Sequence, residues 1–529
     1  MDEMRDFQLP GRSRVFASNA MAATSHPLAT AVALETLRDG GNAVDAAIAA
    51  GVLLGFAEPA MTGLGGDLFA LVKPAGSETV EALNASGRAP EGFEPARLRA
   101  EGHETVPREG AWSVTLPGAV AGFAELSERH GRLGLGRCLA PAIAHAEAGV
   151  PVAPRVAFDW AQAAGRLSGD ARRFFLDMDA PLKAGARFRA PGQAEVLRRI
   201  AAHGPAAFYD GEVAEDMASS LGALGGPHKP GDFATVHPDW VVPISGRYKG
   251  TDLIEHPPNG QGATAILMAN MLKSFDLAAL DPWGAERAHI EAEVTKLAYD
   301  ARNRFIADPD HMTRLDHLLS QGTADALAAL VDPGRAMPDP VALSEEIHRD
   351  TVYLTVVDAD RMAVSLIYSI FSTFGAGIAS KKFGILFHNR GAGFSLSEGH
   401  PNEMGPGKRP MHTIIPAMLA RKGRIVMPFG VMGGPYQATG HARFLTNIVD
   451  YGMSPQDAID GPRCFPGPEG LEVERGYPDE VRAALAEKGH NVFVPNTAIG
   501  GAQAILIDHE RGLLEGGSDP RKDGCALGY

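Results

Sequence analysis

The sequence predicts an α/β protein of the layered α+β kind, with sheets covered by helices, and three observations carry that prediction. The middle of the chain repeats apolar residues at three- and four-residue spacing, the mark of amphipathic helices. Ala43 to Phe56 is apolar on every side, so a helix there must be packed between layers. From Thr351 onward, alternating strand patterns are joined by short polar turns. Helices early and strands in the last third fit layered sheets under a helical cover. The 529 residues, 45% apolar, are long enough for roughly two to four domains or one large α/β unit.

Taken in order, Pro27 to Phe56 reads as two helices separated by Gly40-Gly41. Asn42 is placed to cap the second, and Asp45 lies in its first turn, where a negative charge suits the helix dipole. A glycine-rich turn, TGLGGD, then leads into the strand LFALV. It lacks the lysine of a phosphate loop and the strand-helix-strand order of a dinucleotide site. Leu116 to Leu330 reads mostly helical, as in APAIAHAEAG and AHIEAEVTKLAYDARNRFIAD, punctuated by the loops GGPHKPGD and HPPNGQGA. The stretch from about Val331 to Asp350, with three prolines and Glu345-Glu346, reads as an exposed, mobile loop. Beyond it, TVYLTVVD and MAVSLIYSI form a hairpin across DADR. RIVMPFGV is a strand ending at Met432-Gly433-Gly434, ATGHARFLTNIVDYG is a helix, and QAILIDHERGLLEGGSD is a second hairpin.

A strand that begins with threonine directly after a polar loop has a chemical consequence. A threonine hydroxyl is a weak nucleophile that needs a base. As the first residue of a chain it can use its own α-amine, whose ordinary pKa near 7.7–8.0 leaves a useful fraction neutral. Thr351 reaches that state only if the bond before it is cut.

Four ordered blocks sharpen the reading. They are SHPLATAVALETLRDGGNAVDAAIAAGVLLGFAEPAMTGLGGDLF, DTVYLTVVDADRMAVSLIYSIFSTFGAG, GPGKRPMHTIIPAM with FGVMGGP, and GGSDPRKDGCALGY. Together they span nearly the whole chain, which resembles the γ-glutamyltransferase family of N-terminal nucleophile hydrolases. The resemblance implies an αββα sandwich. It also implies one proenzyme chain that cuts itself into a large chain (1–350, mostly helical, with buried N-terminal helices) and a small one (351–529, strand-rich). Such chains stay associated, and a dimer of the pairs is compatible with the family. By the same resemblance Thr351 is the nucleophile, Ser369 the hydroxyl that hydrogen-bonds it, and Gly433 and Gly434 the pair whose N–H groups form the oxyanion hole. Backbone donors of that kind stabilise a developing oxyanion by roughly 3–4 kcal/mol each. Taken without the family, Ser369 reads as an ordinary strand serine and the two glycines as an ordinary turn.

Departures from the family pattern bear on substrate. The carboxylate-gripping arginine of the family's Arg-Glu-x-Ala-Pro segment is replaced in NASGRAP by Ser86. The aspartate that holds an α-ammonium is replaced by Gly393, before Phe394-Ser395. Phe371 stands for an asparagine, and His412 and Thr413 stand for paired serines. In the same loop as Gly393, HNRGAGFS, Arg390 appears beside Asn389, and these two with Ser86, Phe371, His412 and Thr413 are the candidate substrate contacts. An arginine aimed at a small anion suits bidentate carboxylate binding, and a structural salt bridge is the competing role. The motif set resembles the oxamate amidohydrolase-like branch, and less specifically acylases acting on glutaryl or related side chains. A small-molecule amide bearing a carboxylate, hydrolysed through an acyl-enzyme, is therefore the first reading. A γ-glutamyl hydrolase or transferase acting on glutathione-like substrates is second, and an uncleaved, non-catalytic binding protein third.

Other chemistry finds little support. The net charge of −15 argues against nucleic acid or an anionic membrane as partner. Ala43–Phe56 is too short to span a bilayer, and the N-terminal residues do not read as a secretory signal. Three cysteines without ligand spacing fit a reducing, cytoplasmic setting. With no HExxH and no other tight cluster among the 18 histidines, neither a cofactor nor a metal is expected. Cys464 reads as a buried structural thiol, and Ser25-His26 as a loop or helix-entry pair. His412 is open between orienting Thr413, contacting substrate and packing beneath the sheet.

Overall fold

Residues 11–338 and 351–529 are described by the computed structural model of the protein. Two seven-stranded sheets face one another. In the first the order is Cys525–Gly528, Met21–Thr24, Val352–Val357, Ala363–Ser369, Asp67–Lys73, Glu81–Ala85 and Asp239–Val241. In the second it is Val15–Ala17, Leu513–Ser518, Gly501–Asp508, Arg424–Met432, Ala417–Arg421, Thr251–Glu255 and Ile244–Tyr248. Every neighbouring pair in both is antiparallel. Helices Pro27–Arg38, Ala43–Ala57 and Ala119–His130 cover the first sheet, and Gly262–Leu272, Tyr436–Val449 and Pro455–Asp460 cover the second. The result is the αββα sandwich that the resemblance implies.

The expected split between early helices and late strands is only half right. Among the described residues, seven of the fourteen strands in the two sheets precede Thr351, and each sheet mixes strands from the two parts. Short strands such as Met21–Thr24 (MAAT) were not legible because both their faces are buried, which leaves no alternation to read. The loop expected from about Val331 to Asp350 also needs correction at its start. Ala336 donates to the Lys488 carbonyl (2.8 Å), and Met337 donates to Glu293 (2.7 Å). Residues 339–350 lie outside the described residues.

Helix Ala43–Ala57 is buried along all fifteen residues, between the hairpin of Thr351 and helix Leu135–Ala148. Asn42 and Asp45 form a reciprocal capping box, and the Asp45 carboxylate also accepts the N–H groups of Arg132 and Leu133. Register then gathers the site. Val352 pairs with Tyr368 and Ser369 with Asp67, so Thr351, Ser369 and Asp67 meet at one end of three adjacent strands.

The two sheets approach closely at Gly430. A Cβ there would lie 2.3 Å from the ring of Tyr353, whose hydroxyl bonds Ser365 Oγ at 2.8 Å. Ser365 Oγ in turn bonds the Phe429 carbonyl of the opposite sheet (3.2 Å). Gly430→Val should therefore cost about 1–3 kcal/mol through overpacking. A lowered melting temperature is expected, and an unchanged one would contradict this account of the sheet interface.

Candidate active site

Thr351 is 1% exposed, at the mouth of the strand it precedes, and its Oγ1 donates to Ser369 Oγ at 3.3 Å. The same Ser369 oxygen accepts the Phe371 N–H (2.9 Å) and an Arg390 Nη2–H (3.3 Å). Phe371 reaches its position with φ of 76°, a left-handed backbone unusual for an aromatic residue. Its ring lies under the guanidinium, 4.2 Å from the Arg390 Cζ.

Arg390 is wholly buried on the short turn Arg390–Gly393. Its Nη1 donates to Thr413 Oγ1 at 3.1 Å, and its Nε has no hydrogen-bond partner. Among the described residues no carboxylate forms an ion pair with it, which removes the salt bridge that competed with substrate binding. Burial pushes the guanidinium down to about 9, with Asp67 opposing that shift through space.

Asp67, at the end of the TGLGGD turn, is the nearby countercharge. One oxygen accepts the N–H groups of Gly87 (2.9 Å) and Gly118 (3.2 Å), and the other lies 3.2 Å from His388 Nδ1 and 3.3 Å from His412 Nε2. Burial alone would raise its pKa, yet His388 and His412 hold it well below the carboxylate range. Glycine is required in this turn, because a Cβ on Gly66 would lie 2.6 Å from the Ser369 carbonyl and one on Gly65 2.2 Å from that of Leu386. His412 packs against Phe69, with ring centroids 4.7 Å apart, and its Nδ1 accepts the Ile414 N–H (3.4 Å). That leaves the proton on Nε2, facing Asp67. Burial, with Arg390 beside it, lowers the His412 pKa to about 3, so the ring is neutral.

Gly433 and Gly434 turn the chain at φ of 119° and 54°, from strand Arg424–Met432 into helix Tyr436–Val449. A Cβ on Gly433 would lie 2.8 Å from Gly500 Cα. The Gln261 side-chain amide donates to both the Thr413 carbonyl (2.7 Å) and the Gly434 carbonyl (3.2 Å), and its oxygen accepts from Arg302 (3.1 Å). One connected path therefore runs from Thr351 through Ser369, Arg390, Thr413 and Gln261 to Gly434.

Two expected substrate contacts are already occupied within the protein. The Asn389 amide bonds Ser372 and the Arg108 carbonyl, bracing the loop that carries Arg390. Ser86 Oγ bonds Asn84 (2.8 Å) and Asn259, within a cluster whose Asn259 carbonyl accepts the His412 N–H (2.8 Å). Asp67, His388, Asn259 and Gln261 were missed. The last two lie in HPPNGQGA, read only as a loop, and the signal for Asp67 was a buried acid closing a glycine turn. Ser25 donates to Glu58 and His26 caps helix Pro27–Arg38, as expected of a helix-entry pair. Burial pushes the Cys464 thiol up to about 12, which suits an inert thiol.

Beside the site, Arg108, Arg302, Ala392, Gly393, Phe394 and Met411 help line a cleft of about 320 Å³. A Cβ on Gly393 would lie 2.7 Å from the Met411 carbonyl, so backbone packing here excludes the family's aspartate.

Comparison with known proteins settles the lineage. A profile described as Gamma-glutamyltranspeptidase matches residues 29–529. The chain belongs to that family. It is 35% identical over 528 residues to the glutathione hydrolase-like YwrD proenzyme of Bacillus subtilis, covering 97% of this chain and 99% of the relative. It is 34% identical over 532 residues to the oxamate amidohydrolase proenzyme of Klebsiella pneumoniae, with the same coverage. The crystal structure of cephalosporin acylase from Bacillus halodurans superposes with a TM-score of 0.91 at 36% identity, covering 100% of this chain and 99% of that one. The protein is thus an enzyme of the amidohydrolase and transpeptidase kind. Among the described residues no helix is long and apolar enough to cross a membrane.

A neutral buried His412 has a consequence for stability. Its folded pKa lies below the unfolded value near 6.5, so the unfolded chain binds the extra proton. That contribution to stability is complete above pH 6.5 and is lost, by about 1.4 kcal/mol per pH unit, as pH falls toward 3. His412→Asn should make denaturant stability between pH 6.5 and 4 less acid-sensitive by one proton; an unchanged slope would show that His412 is already charged.

Proposed function

We propose that the bond before Thr351 is cut and that the freed threonine attacks a small amide bearing a carboxylate but no α-ammonium. The C–N bond breaks, the amine leaves with the proton that the α-amine took from the hydroxyl, and water then hydrolyses the acyl-enzyme to the acid and free Thr351. The observation that carries this reading is Arg390. It is a buried guanidinium two hydrogen bonds from Thr351, with an unpartnered Nε and, among the described residues, no carboxylate of its own. In this reading the α-amine of Thr351 takes the hydroxyl proton, Ser369 orients the oxygen, and the N–H groups of Gly433 and Gly434 receive the oxyanion. Arg390 holds the substrate carboxylate, with Phe371 and Thr413 fixing its plane. His412 and Asp67 act behind it, keeping the local charge balanced.

The glycine at 393 supports the absence of an ammonium clamp, because the space for an acidic side chain is closed by Met411. The similarity to an oxamate amidohydrolase and a cephalosporin acylase points the same way. Interleaving of strands from residues 1–350 and 351–529 is reason for the two chains to stay together after the cut. The three cysteines are free, and on that basis we place the protein in the reducing cytoplasm.

A panel of amides tests substrate choice. Carboxylate-bearing amides such as oxamate and glutaryl amides should exceed γ-glutamyl amides in kcat/KM. Arg390→Lys should raise KM for the preferred substrate by about 30-fold or more, the effect of disrupting a buried charge pair, while the chain is still cut. Preference for γ-glutamyl amides, or an unchanged KM in the variant, would overturn the assignment.

A further inference from the structure

Outside the active site, folding brings together a group that the sequence keeps far apart. His289 and Glu293 lie one turn apart on helix Ala285–Phe305, and His490 follows helix Asp479–Glu487. All three are buried, and each offers a ligand atom within 4.8 Å of the others. This corrects the expectation that no such cluster exists, since His490 is some 200 residues from its partners.

The hydrogen bonds around His289 fix what it presents. Its Nε2 lies 2.8 Å from the Asp332 carbonyl, which can only accept, so that nitrogen carries the proton. Nδ1 therefore directs a lone pair at His490 Nε2, 2.8 Å away. A carbonyl that fixes the tautomer of one imidazole is the arrangement found behind metal-bound histidines. Glu293 accepts the Met337 N–H with one oxygen (2.7 Å), and its other oxygen lies 3.0 Å from Lys296 Nζ. Lys296 also donates to the Met337 carbonyl at 3.1 Å, so it has a second acceptor if a cation engages the carboxylate.

We propose that His289 Nδ1, His490 Nε2 and the Glu293 carboxylate bind one divalent cation of the zinc class, with a fourth position left for water. Two imidazole nitrogens and one carboxylate favour zinc over calcium or magnesium, which prefer oxygen shells. Binding needs a tautomer change at His490, its proton moving from Nε2 to Nδ1 with no net proton released, and a widening of the 2.8 Å separation between the two nitrogens to about 3.3 Å for tetrahedral zinc. Its role is to join elements of the fold and not to take part in the reaction, because it lies on the same helix as Arg302 but nine to thirteen residues earlier, about 14–20 Å along the axis. Two ligands precede Thr351 and one follows it, so the ion would tie together the two chains of the cut protein. That role, though not the binding itself, rests on the proposed cleavage.

The test uses the full chain without an affinity tag, stripped with a chelator and titrated with Zn²⁺ and with Co²⁺ as a spectroscopic probe. One equivalent should bind, Co²⁺ should give visible d–d bands, and Zn²⁺ should raise the melting temperature. His490→Gln and Glu293→Gln should weaken binding by more than the roughly 100-fold that loss of a partner behind a ligand can cost. Thr351→Ala, which blocks cleavage, should bind the metal unchanged and so separates this proposal from the cleavage reading. Failure of the wild-type protein to take up an equivalent of either ion would overturn the site, whether or not the variants fold. Equal uptake by wild type and His490→Gln would do the same.

Discussion

The hydroxyl oxygen of Ser369 is the point through which the site is held. It accepts hydrogen bonds from the Thr351 hydroxyl, the Phe371 N–H and the Arg390 guanidinium. These groups come from three places: the start of one strand, a left-handed turn after the next, and a loop some twenty residues on. Each must be where it is for the others to fit. The antiparallel register sets Ser369 opposite Asp67, so the hydroxyl that holds the buried cation and the countercharge of that cation lie on neighbouring strands. Moving any one of these strands by a residue would turn the whole set to the other face.

Charge explains the second shell of contacts. A wholly buried arginine is costly unless its field is answered. Here Asp67 answers it through space rather than by direct pairing, because its oxygens are taken by two backbone amides and two imidazoles. The guanidinium therefore keeps hydrogen-bonding capacity in hand. A direct salt bridge would have spent it, and a wholly apolar surround would have displaced the charge. Gln261 extends the same network to the Gly433-Gly434 turn, so the candidate oxyanion donors and the candidate anion anchor share a single support.

Much of this was legible in the chain itself, for identifiable reasons. The hairpin of Thr351 and the capped helix at Asn42 carry local signals that survive without tertiary context, whereas the roles of Ser369 and the glycine pair came from the family resemblance. Arg390 could be singled out by its loop, though not its freedom from a carboxylate, which depends on burial and on Asp67. Asn389 and Ser86 were expected at the substrate, but their polar atoms bond protein neighbours, Ser372 and Arg108 for Asn389 and Asn84 and Asn259 for Ser86. Asp67, His388 and Gln261 escaped notice because a single acid, imidazole or amide in a glycine-rich loop has no periodicity to mark it. Of the seven strands from the first part of the chain, LFALV was legible, whereas Met21–Thr24 and Glu81–Ala85 are short and almost wholly buried and so lack the alternation that betrays a half-exposed strand.

The account depends most on a free amine at Thr351. Intact mass of the purified protein under denaturing conditions, with N-terminal sequencing of the products, measures this directly. Two chains, the smaller beginning at Thr351, are the expected result. A single uncut chain after prolonged incubation would contradict the account, and would leave a buried arginine in a protein that binds carboxylates without turning them over.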